Sequence, residues 1–192
     1  MKVIAFNGSA RRDGNTAMLV RAVFAELECE EIETELVQLS GEYLPGCAAC
    51  YKCAANKNHR CAVEGDIINE SIAKMEEADG IILASPTYVA DVSPGIKALI
   101  ERATIVARGN GHIFERKVGA AVVAVRRAGA LHAIDTLNHF FAVNQMFICG
   151  SSYWNLAVGR NIGEVEQDSE GMQTMRDLGR NMAWLLKRIA TC

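Results

Sequence analysis

The chain has 192 residues, of which 50% are hydrophobic, and a formal net charge of −3. This length suits one domain and supplies enough apolar area for a substantial core. The slightly acidic charge, without any run of basic residues, argues against a general nucleic-acid binder. Strand-like sequence begins at residue 2 and no apolar stretch is long enough to cross a bilayer. We therefore expect a cytoplasmic protein without a signal peptide, a membrane partner or a nucleic-acid partner.

The first predicted strand and the first predicted helix are joined by a loop of small and polar residues. Lys2 to Phe6 (KVIAF) is a short apolar run suited to a buried strand, and Asn15-Thr16 opens a helical pattern. Backbone N–H groups of the loop and the positive end of the helix then point at one spot. This arrangement favours the binding of a phosphate group.

Side chains in the same loop add to this predicted phosphate site. Ser9, Asn15 and Thr16 supply hydrogen-bond donors, and Arg11 and Arg12 supply positive charge in a geometry that matches phosphate oxygens. The loop lacks both the Gly-Lys-Ser/Thr ending of a triphosphatase P-loop and the GxGxxG of a dinucleotide fold. An ordinary turn before a capped helix, with solvated arginines, is the alternative interpretation.

Periodicity predicts four further strands, at 31–39, 80–85, 117–125 and 145–150. It predicts helices at 66–78 with Asp66 as N-cap, from Pro94 to about 106, at 130–142 and after 168. Residues 40–66 and 151–168 are predicted to be irregular. A strand–helix unit thus repeats five times and three strands are apolar throughout. The predicted fold class is α/β, a doubly wound five-stranded parallel sheet with helices on both faces.

Three loops of such a sheet form the walls of one predicted site, because ligands bind outside the carboxyl ends of the strands. They follow the first, third and fourth strands. The segment Ser85-Pro86-Thr87-Tyr88 offers backbone amides, a hydroxyl and an aromatic ring, and Arg126 to Gly129 offers a glycine and two cations. A flat redox-active ring needs an apolar ledge with amides at its polar edge. Tyr88 taken alone is also compatible with an exposed aromatic at a helix entrance.

The motif GSARRDGNT, followed later by SPTY, resembles the flavodoxin-like NAD(P)H-dependent FMN reductases. The resemblance spans nearly the whole chain and implies one flavodoxin-like domain over residues 1–192, with residues 40–66 as an inserted cysteine loop. It implies that one set of residues holds the FMN phosphate, a second contacts the isoalloxazine ring and a third completes the site. These sets are Ser9, Arg11, Asn15 and Thr16, with Gly14 beside them; Pro86, Thr87 and Tyr88; and Arg126 with Gly129.

Four of the seven cysteines lie close together as Cys47-x2-Cys50-x2-Cys53-x7-Cys61, whereas Cys29, Cys149 and Cys192 are scattered and are interpreted as small core or surface residues. Structural disulfides are not expected in a reducing compartment. Three successive thiolates with a fourth nearby can ligate a cubane cluster. Zinc more often uses two separated CxxC pairs, and a redox CxxC pair leaves two cysteines without a role. A solvated loop with free thiols also fits the pattern.

The cysteine spacing and the segments SSYWN and GEVEQDSEGMQT resemble the iron–sulfur flavoprotein branch of the same family. The resemblance implies a [4Fe–4S] cluster on Cys47, Cys50, Cys53 and Cys61 that exchanges electrons with FMN in a homodimer or homotetramer. The expected function is an FMN-dependent oxidoreductase that takes electrons from NAD(P)H or ferredoxin. An alternative is a cluster-free NAD(P)H-dependent FMN or quinone reductase, and a third hypothesis is a non-catalytic scaffold with a zinc-stapled loop.

Overall fold

Strands and helices alternate along most of the chain in the computed structural model, which describes residues 1–41 and 43–190. Cys192 lies outside the described residues. The strands are β1 (Lys2–Asn7), β2 (Glu33–Gln38), β3 (Gly80–Pro86), β4 (Val118–Val125), β5 (Phe147–Ile148) and β6 (Leu156–Val158). The helices are α1 (Asn15–Cys29), α2 (Lys52–Asn56), α3 (Ile68–Glu77), α4 (Pro94–Gly109), α5 (Ala130–Val143) and α6 (Ser169–Ala190), with a 3-10 turn at Glu164–Gln167.

The strands form a parallel sheet in the order β2-β1-β3-β4-β5. This is the flavodoxin-like order of a doubly wound sheet, so the predicted fold class is confirmed. The order reverses between β1 and β3, which places the loops after these two strands beside each other. The carboxyl edge of the sheet at this switch point is therefore the expected position of a ligand.

The fifth position of the sheet differs from the prediction, because two short strands share it. β5 pairs with the start of β4, where Val118 faces Phe147, and β6 pairs with its end, where Val123 faces Leu156. The single strand predicted at 145–150 is thus shorter than expected, and the prediction that 151–168 is wholly irregular was wrong. A strand of three residues is too short to produce a periodic sequence pattern.

Side chains alternate between the two faces of the sheet, as the two-residue period of a strand requires. In β1, Val3 and Ala5 pack with α1 and α6, whereas Ile4 and Phe6 pack with α3, α4 and α5. Two apolar layers therefore cover the sheet and support its carboxyl edge from both sides. Among the described helices, none has both the length and the apolar composition that a membrane span requires.

Two local predictions in the cysteine loop and after it need correction. The loop contains the short helix α2, flanked by Tyr51 at φ 53° and Lys57 at φ 54°, although no periodicity indicated it. The N-cap position of α3 is Ile67 rather than Asp66. Asp66 still binds the helix start, since its Oδ1 accepts a hydrogen bond from the Ile68 N–H at 3.0 Å, while its other carboxylate oxygen pairs with Arg102.

The first prediction concerns Gly119 in β4. A Cβ at this position would lie 2.4 Å from Cδ1 of Phe141, which α5 packs against the strand. Gly119→Ala is therefore expected to lower the free energy of unfolding by about 1–3 kcal/mol through overpacking. Gly150→Ala is the matched control, since nothing lies within 4 Å of its Cβ, and a change below about 0.5 kcal/mol is expected. Equal urea midpoints for the two variants would contradict this packing.

Candidate functional site

A cavity of about 300 Å³ lies at the carboxyl edge of the sheet, where the loops after β1, β3 and β4 meet. Its volume is at the lower end of the range for small-molecule sites. Gly14 and Gly129 lie in the loops that form its walls, and Arg12 is exposed and is not part of its lining. The other predicted cofactor residues all line the cavity, which is formed by Ser9, Arg11, Asn15, Thr16, Pro86, Thr87, Tyr88, Ala124, Arg126, Gly159 and Arg160.

The first loop is held in shape by two side chains that the sequence analysis missed. Asn7 is fully buried at the end of β1, and its Oδ1 accepts a hydrogen bond from the Ser9 N–H at 3.0 Å. Asn7 Nδ2 donates to Gln38 Oε1 at 2.7 Å, and Gln38 Nε2 donates to the Ser9 carbonyl at 2.7 Å. An asparagine that ends a buried strand was the available signal. The neighbouring strands β1 and β2 thus fix the loop together.

The N-terminus of α1 opens into this cavity. Gly14 occupies the N-cap position, and no side chain in the described segments caps the helix. A Cβ at Gly14 would lie 2.8 Å from Cβ of Arg11, so the tight turn requires glycine. Ser9 Oγ accepts the Arg11 N–H at 3.1 Å and keeps its own hydrogen available. Backbone N–H groups at an uncapped helix start attract an anion.

The segment 159–163 closes the cavity on the side of α1, and the sequence analysis had left it as irregular chain. Asn15 Nδ2 donates to the Asn161 carbonyl at 2.9 Å, and Asn15 Oδ1 accepts the Gly163 N–H at 2.9 Å. Arg11 also donates to the Arg160 carbonyl at 3.2 Å. The Asn15 amide therefore ties this segment to α1. Its second N–H group makes no hydrogen bond to the described residues and stays available as a donor.

Glu164 fixes the turn that carries this segment. Its Oε2 accepts the N–H groups of Arg160 and Asn161 at 2.7 Å and 2.9 Å. The bonds from Asn161 and Arg160 lower the pKa of Glu164, so the carboxylate stays ionised. Gly163 adopts φ 90°, and a Cβ at Gly159 would lie 2.8 Å from the nitrogen of Val165. This pair of glycines was the sequence signal from which the segment could have been recognised.

The loop after β3 forms a tight reversal next to the cavity. Tyr88 and Asp91 exchange backbone hydrogen bonds of 2.8 Å and 3.0 Å, and the residues between them, Val89 and Ala90, have φ values of 51° and 61°. A β-branched residue at positive φ is rare and marks a strained turn. Asp91 anchors the turn, because hydrogen bonds from the Val92 N–H and from Thr136 lower its pKa.

Thr87, one of the residues that line the cavity, carries an unused hydroxyl. Its Oγ1 is buried and has no hydrogen-bond partner among the described residues, although its backbone N–H donates to the Ala124 carbonyl at 2.9 Å. Leaving a buried hydroxyl unpaired costs about 1–3 kcal/mol. A polar partner supplied by a ligand removes this cost. The neighbouring Gly129 has φ 89°, and its missing Cβ lets Ala90 approach the β4–α5 loop.

Arginines give the mouth of the cavity a positive charge. Arg126, Arg127 and Arg160 are exposed, and none forms an ion pair with another part of the described chain. They also line an adjoining cavity of about 420 Å³. Two carboxylates, Glu164 and Asp168, line that adjoining cavity as well. Exposed cations at a cleft concentrate anionic ligands there.

The cysteine loop lies against α4. Cys53 and Cys61 are buried, Cys47 is half-buried and Cys50 is exposed, and all four are free thiols. The Cys47 N–H donates to Glu101 at 3.3 Å. Burial raises the pKa of Cys53, and the nearby Cys61 and Cys47 raise it further. Within residues 1–41 and 43–190, no three His, Cys, Asp or Glu side chains lie close enough together to hold one metal ion.

The scattered cysteines that the structure describes differ from those of the loop. Cys149 is buried beside β5, and burial raises its pKa to about 11, so it is an unreactive core thiol. Cys29 is exposed at the end of α1. These positions agree with their interpretation as small core or surface residues.

Comparison with known proteins identifies the family. A sequence model described as NADPH-dependent FMN reductase matches residues 1–160. The chain belongs to this family. An iron–sulfur flavoprotein of Methanocaldococcus jannaschii is 36% identical over 196 residues, a match that covers 98% of this chain and 99% of the relative. The predicted assignment to the iron–sulfur flavoprotein branch of the FMN reductases is therefore confirmed, and the protein is an oxidoreductase.

Solved structures support the same fold for this FMN reductase homologue. RosB with bound 8-demethyl-8-formylriboflavin-5'-phosphate has a TM-score of 0.76 at 18% identity, covering 100% of this chain and 81% of RosB. A flavodoxin-like, WrbA-like protein from Agrobacterium tumefaciens has a TM-score of 0.68 at 15% identity and 97% coverage of both chains. At these identities the likeness shows the flavodoxin-like fold alone.

The residues of the cavity fit FMN. The open N-terminus of α1 and Arg11 suit a phosphate, and the unpaired hydroxyl of Thr87 suits a polar edge of the flavin ring. Tyr88 supplies an aromatic ring in the same wall.

The second prediction concerns Thr87. Thr87→Val removes the unpaired hydroxyl without changing the shape of the side chain, so the FMN-free protein is expected to be as stable as wild type or up to about 1 kcal/mol more stable. FMN affinity is expected to fall about tenfold, because one hydrogen bond is lost. Isothermal calorimetry with FMN and urea unfolding measure the two effects.

Thr174→Val is the control, since Thr174 is a buried threonine on α6 that does not line the cavity. Its FMN affinity is expected to match that of wild type. An unchanged FMN affinity in Thr87→Val would show that this hydroxyl does not bind the cofactor.

Proposed function

We propose that this protein is an electron-transfer flavoprotein that holds FMN at the sheet edge and a [4Fe–4S] cluster on its cysteine loop. The observation that carries the proposal is the meeting of three loops around one cavity with an uncapped helix N-terminus. The names of the relatives support the second cofactor, because they are iron–sulfur flavoproteins that align over almost the whole chain.

The residues of the first loop bind the phosphate of FMN in this proposal. The first-turn N–H groups of α1 and the hydroxyls of Ser9 and Thr16 donate hydrogen bonds, and Arg11 neutralises the phosphate charge. Pro86, Thr87 and Tyr88 bind the ring, and Arg126 favours negative charge in the cavity. FMN supplies the redox chemistry when it is bound, and the protein orients it and limits its contact with water.

Cys47, Cys50, Cys53 and Cys61 are the proposed ligands of the cluster. The residue types fit, because four free thiols lie in one loop. No three of them lie close enough together in the described residues to hold one metal ion, so their convergence on one cluster is part of the proposal. Thiolates select iron–sulfur centres over hard cations. The cluster supplies one-electron chemistry when it is bound. The cysteine loop would hold the cluster next to α4.

The electron donor proposed for this site is NAD(P)H or ferredoxin. A phosphate-bearing or acidic donor is attracted by the exposed Arg126, Arg127 and Arg160 at the mouth of the cavity. We also propose a homodimer or homotetramer. Tyr153 and Trp154 support it, because they are 55% and 51% exposed and pack edge to face at 4.5 Å on the segment before β6.

A cluster-free NAD(P)H-dependent FMN or quinone reductase is the second candidate function. The family description, NADPH-dependent FMN reductase, favours it, as does the arginine-lined cavity next to the flavin site. The two candidates share FMN and differ in the cysteine loop. Iron and acid-labile sulfide therefore distinguish them.

The third prediction compares two exposed cysteines, Cys50 in the loop and Cys29 outside it. After anaerobic reconstitution with FMN, ferrous iron and sulfide, Cys50→Ser is expected to lose most iron, sulfide and broad visible absorbance, because one ligand is missing. It is expected to keep FMN. Cys29→Ser is expected to retain both cofactors. Metal and sulfide analysis together with the anaerobic absorption spectrum measure the difference.

Wild-type protein that binds FMN and oxidises NADPH without taking up iron and sulfide would favour the cluster-free reductase. Full iron content in Cys50→Ser would remove this residue from the ligand set. Stoichiometric zinc without flavin would support the scaffold hypothesis instead.

A further inference from the structure

A charged arginine is buried beneath the cysteine loop. Arg102 lies in α4 and its side chain is 0% exposed. A guanidinium is permanently charged and carries five N–H donors, so burying it requires an acceptor for most of them. The groups that accept hydrogen bonds from Arg102 indicate the role of this residue.

Two of these acceptors lie on either side of the cysteine motif. Arg102 Nη2 donates to the Val63 carbonyl at 2.7 Å, and Nη1 donates to the Pro45 carbonyl at 3.5 Å. Pro45 precedes Cys47 by two residues, and Val63 follows Cys61 by two residues. One side chain therefore joins the two ends of the segment that carries all four thiols.

The charge of Arg102 is balanced by Asp66. Arg102 Nη1 forms an ion pair with Asp66 Oδ2 at 2.5 Å, and the Asp66 side chain is 5% exposed. Asp66 is itself fixed by the Ile68 N–H at the start of α3. The guanidinium is thus held in one orientation by α3 and by both ends of the loop.

The remaining contact of Arg102 reaches a cysteine. Its Nε lies 3.3 Å from Sγ of Cys61 and donates a hydrogen bond to it. Cys61 is 8% exposed, and its backbone N–H donates to Asn69 Oδ1 at 2.8 Å. A cation with a fixed N–H group therefore touches one of the proposed cluster ligands inside the protein.

We propose that Arg102 is the positioning residue of the cluster site, closing the base of the cysteine loop before the cluster is inserted and raising the reduction potential of the bound cluster. The inference rests on the proposed function, because it assigns Arg102 to that same cluster. Hydrogen bonds to ligand sulfurs and nearby positive charge stabilise the more negative, reduced form of a cluster. A fixed guanidinium supplies both.

The first part of the test uses protein without the cluster. Arg102→Lys keeps the charge but cannot bind Pro45, Val63 and Cys61 at once, so we expect alkylation of Cys61 by iodoacetamide to become about tenfold faster. Arg108→Lys is the matched control on the same helix, since Arg108 is exposed. Mass spectrometry of digested protein measures the rate at each cysteine. An unchanged rate at Cys61 would overturn the loop-closing role.

The second part measures the midpoint potential of the reconstituted cluster by anaerobic titration with dithionite, followed by electron paramagnetic resonance. Arg102→Lys is expected to make the potential more negative, because the N–H···S bond is lost. Asp66→Asn is expected to make it more positive, because the charge of Arg102 is no longer balanced. Arg108→Lys is expected to leave it unchanged. A purely structural role for Arg102 does not predict opposite shifts.

The outcomes separate this inference from the proposed function. Wild-type protein that takes up no iron would overturn the proposed cluster and with it the assigned role of Arg102. If wild-type protein holds a cluster, and if Arg102→Lys and Asp66→Asn both have the wild-type midpoint potential, only the role of Arg102 is overturned. If Arg102→Lys fails to fold by circular dichroism, the direction of the shift in Asp66→Asn decides.

Discussion

The uncapped N-terminus of α1 is the feature on which the candidate site depends. Gly14 supplies no side-chain oxygen at the N-cap, so the N–H groups of the first turn keep their capacity to bind an anion. The surrounding contacts hold the loop around this helix end without filling it. Asn7 and Gln38 fix the loop from the sheet, and Asn15 ties the 159–163 segment to the helix. The sheet topology then brings the loops after β3 and β4 to the same place.

Helix α4 connects the proposed flavin site with the cysteine loop. At its start, Gly8 of the first loop approaches so closely that a Cβ would lie 2.4 Å from Ser93 Oγ. Two turns later, Glu101 and Arg102 bind the cysteine loop. One rigid element thus supports both proposed cofactor sites, and its position is set by the apolar layer that packs it against the sheet.

The sequence predicted the sheet and the loops well, because long apolar runs and helical periodicity reflect the burial of both faces. The residues placed in the cavity by sequence reasoning lie on loops whose positions follow from parallel topology alone. Sequence reasoning missed β6, α2 and the 159–163 segment. Each is too short for a periodic pattern and depends on tertiary hydrogen bonds, such as those of Asn15. Arg102 was missed for a related reason. An arginine in a helical pattern is assigned to the solvent-exposed face, because the sequence does not show the buried groups that bind it.

Binding of FMN and riboflavin to the same FMN-free protein tests the central claim most directly. The two ligands differ only in the phosphate, which we assign to the N-terminus of α1. Two or more charge-assisted hydrogen bonds to the phosphate predict an affinity for FMN that is about a hundredfold or more above that for riboflavin. The preference is also expected to weaken as the salt concentration rises. Equal affinity for the two ligands would contradict the assignment of this loop as the phosphate site.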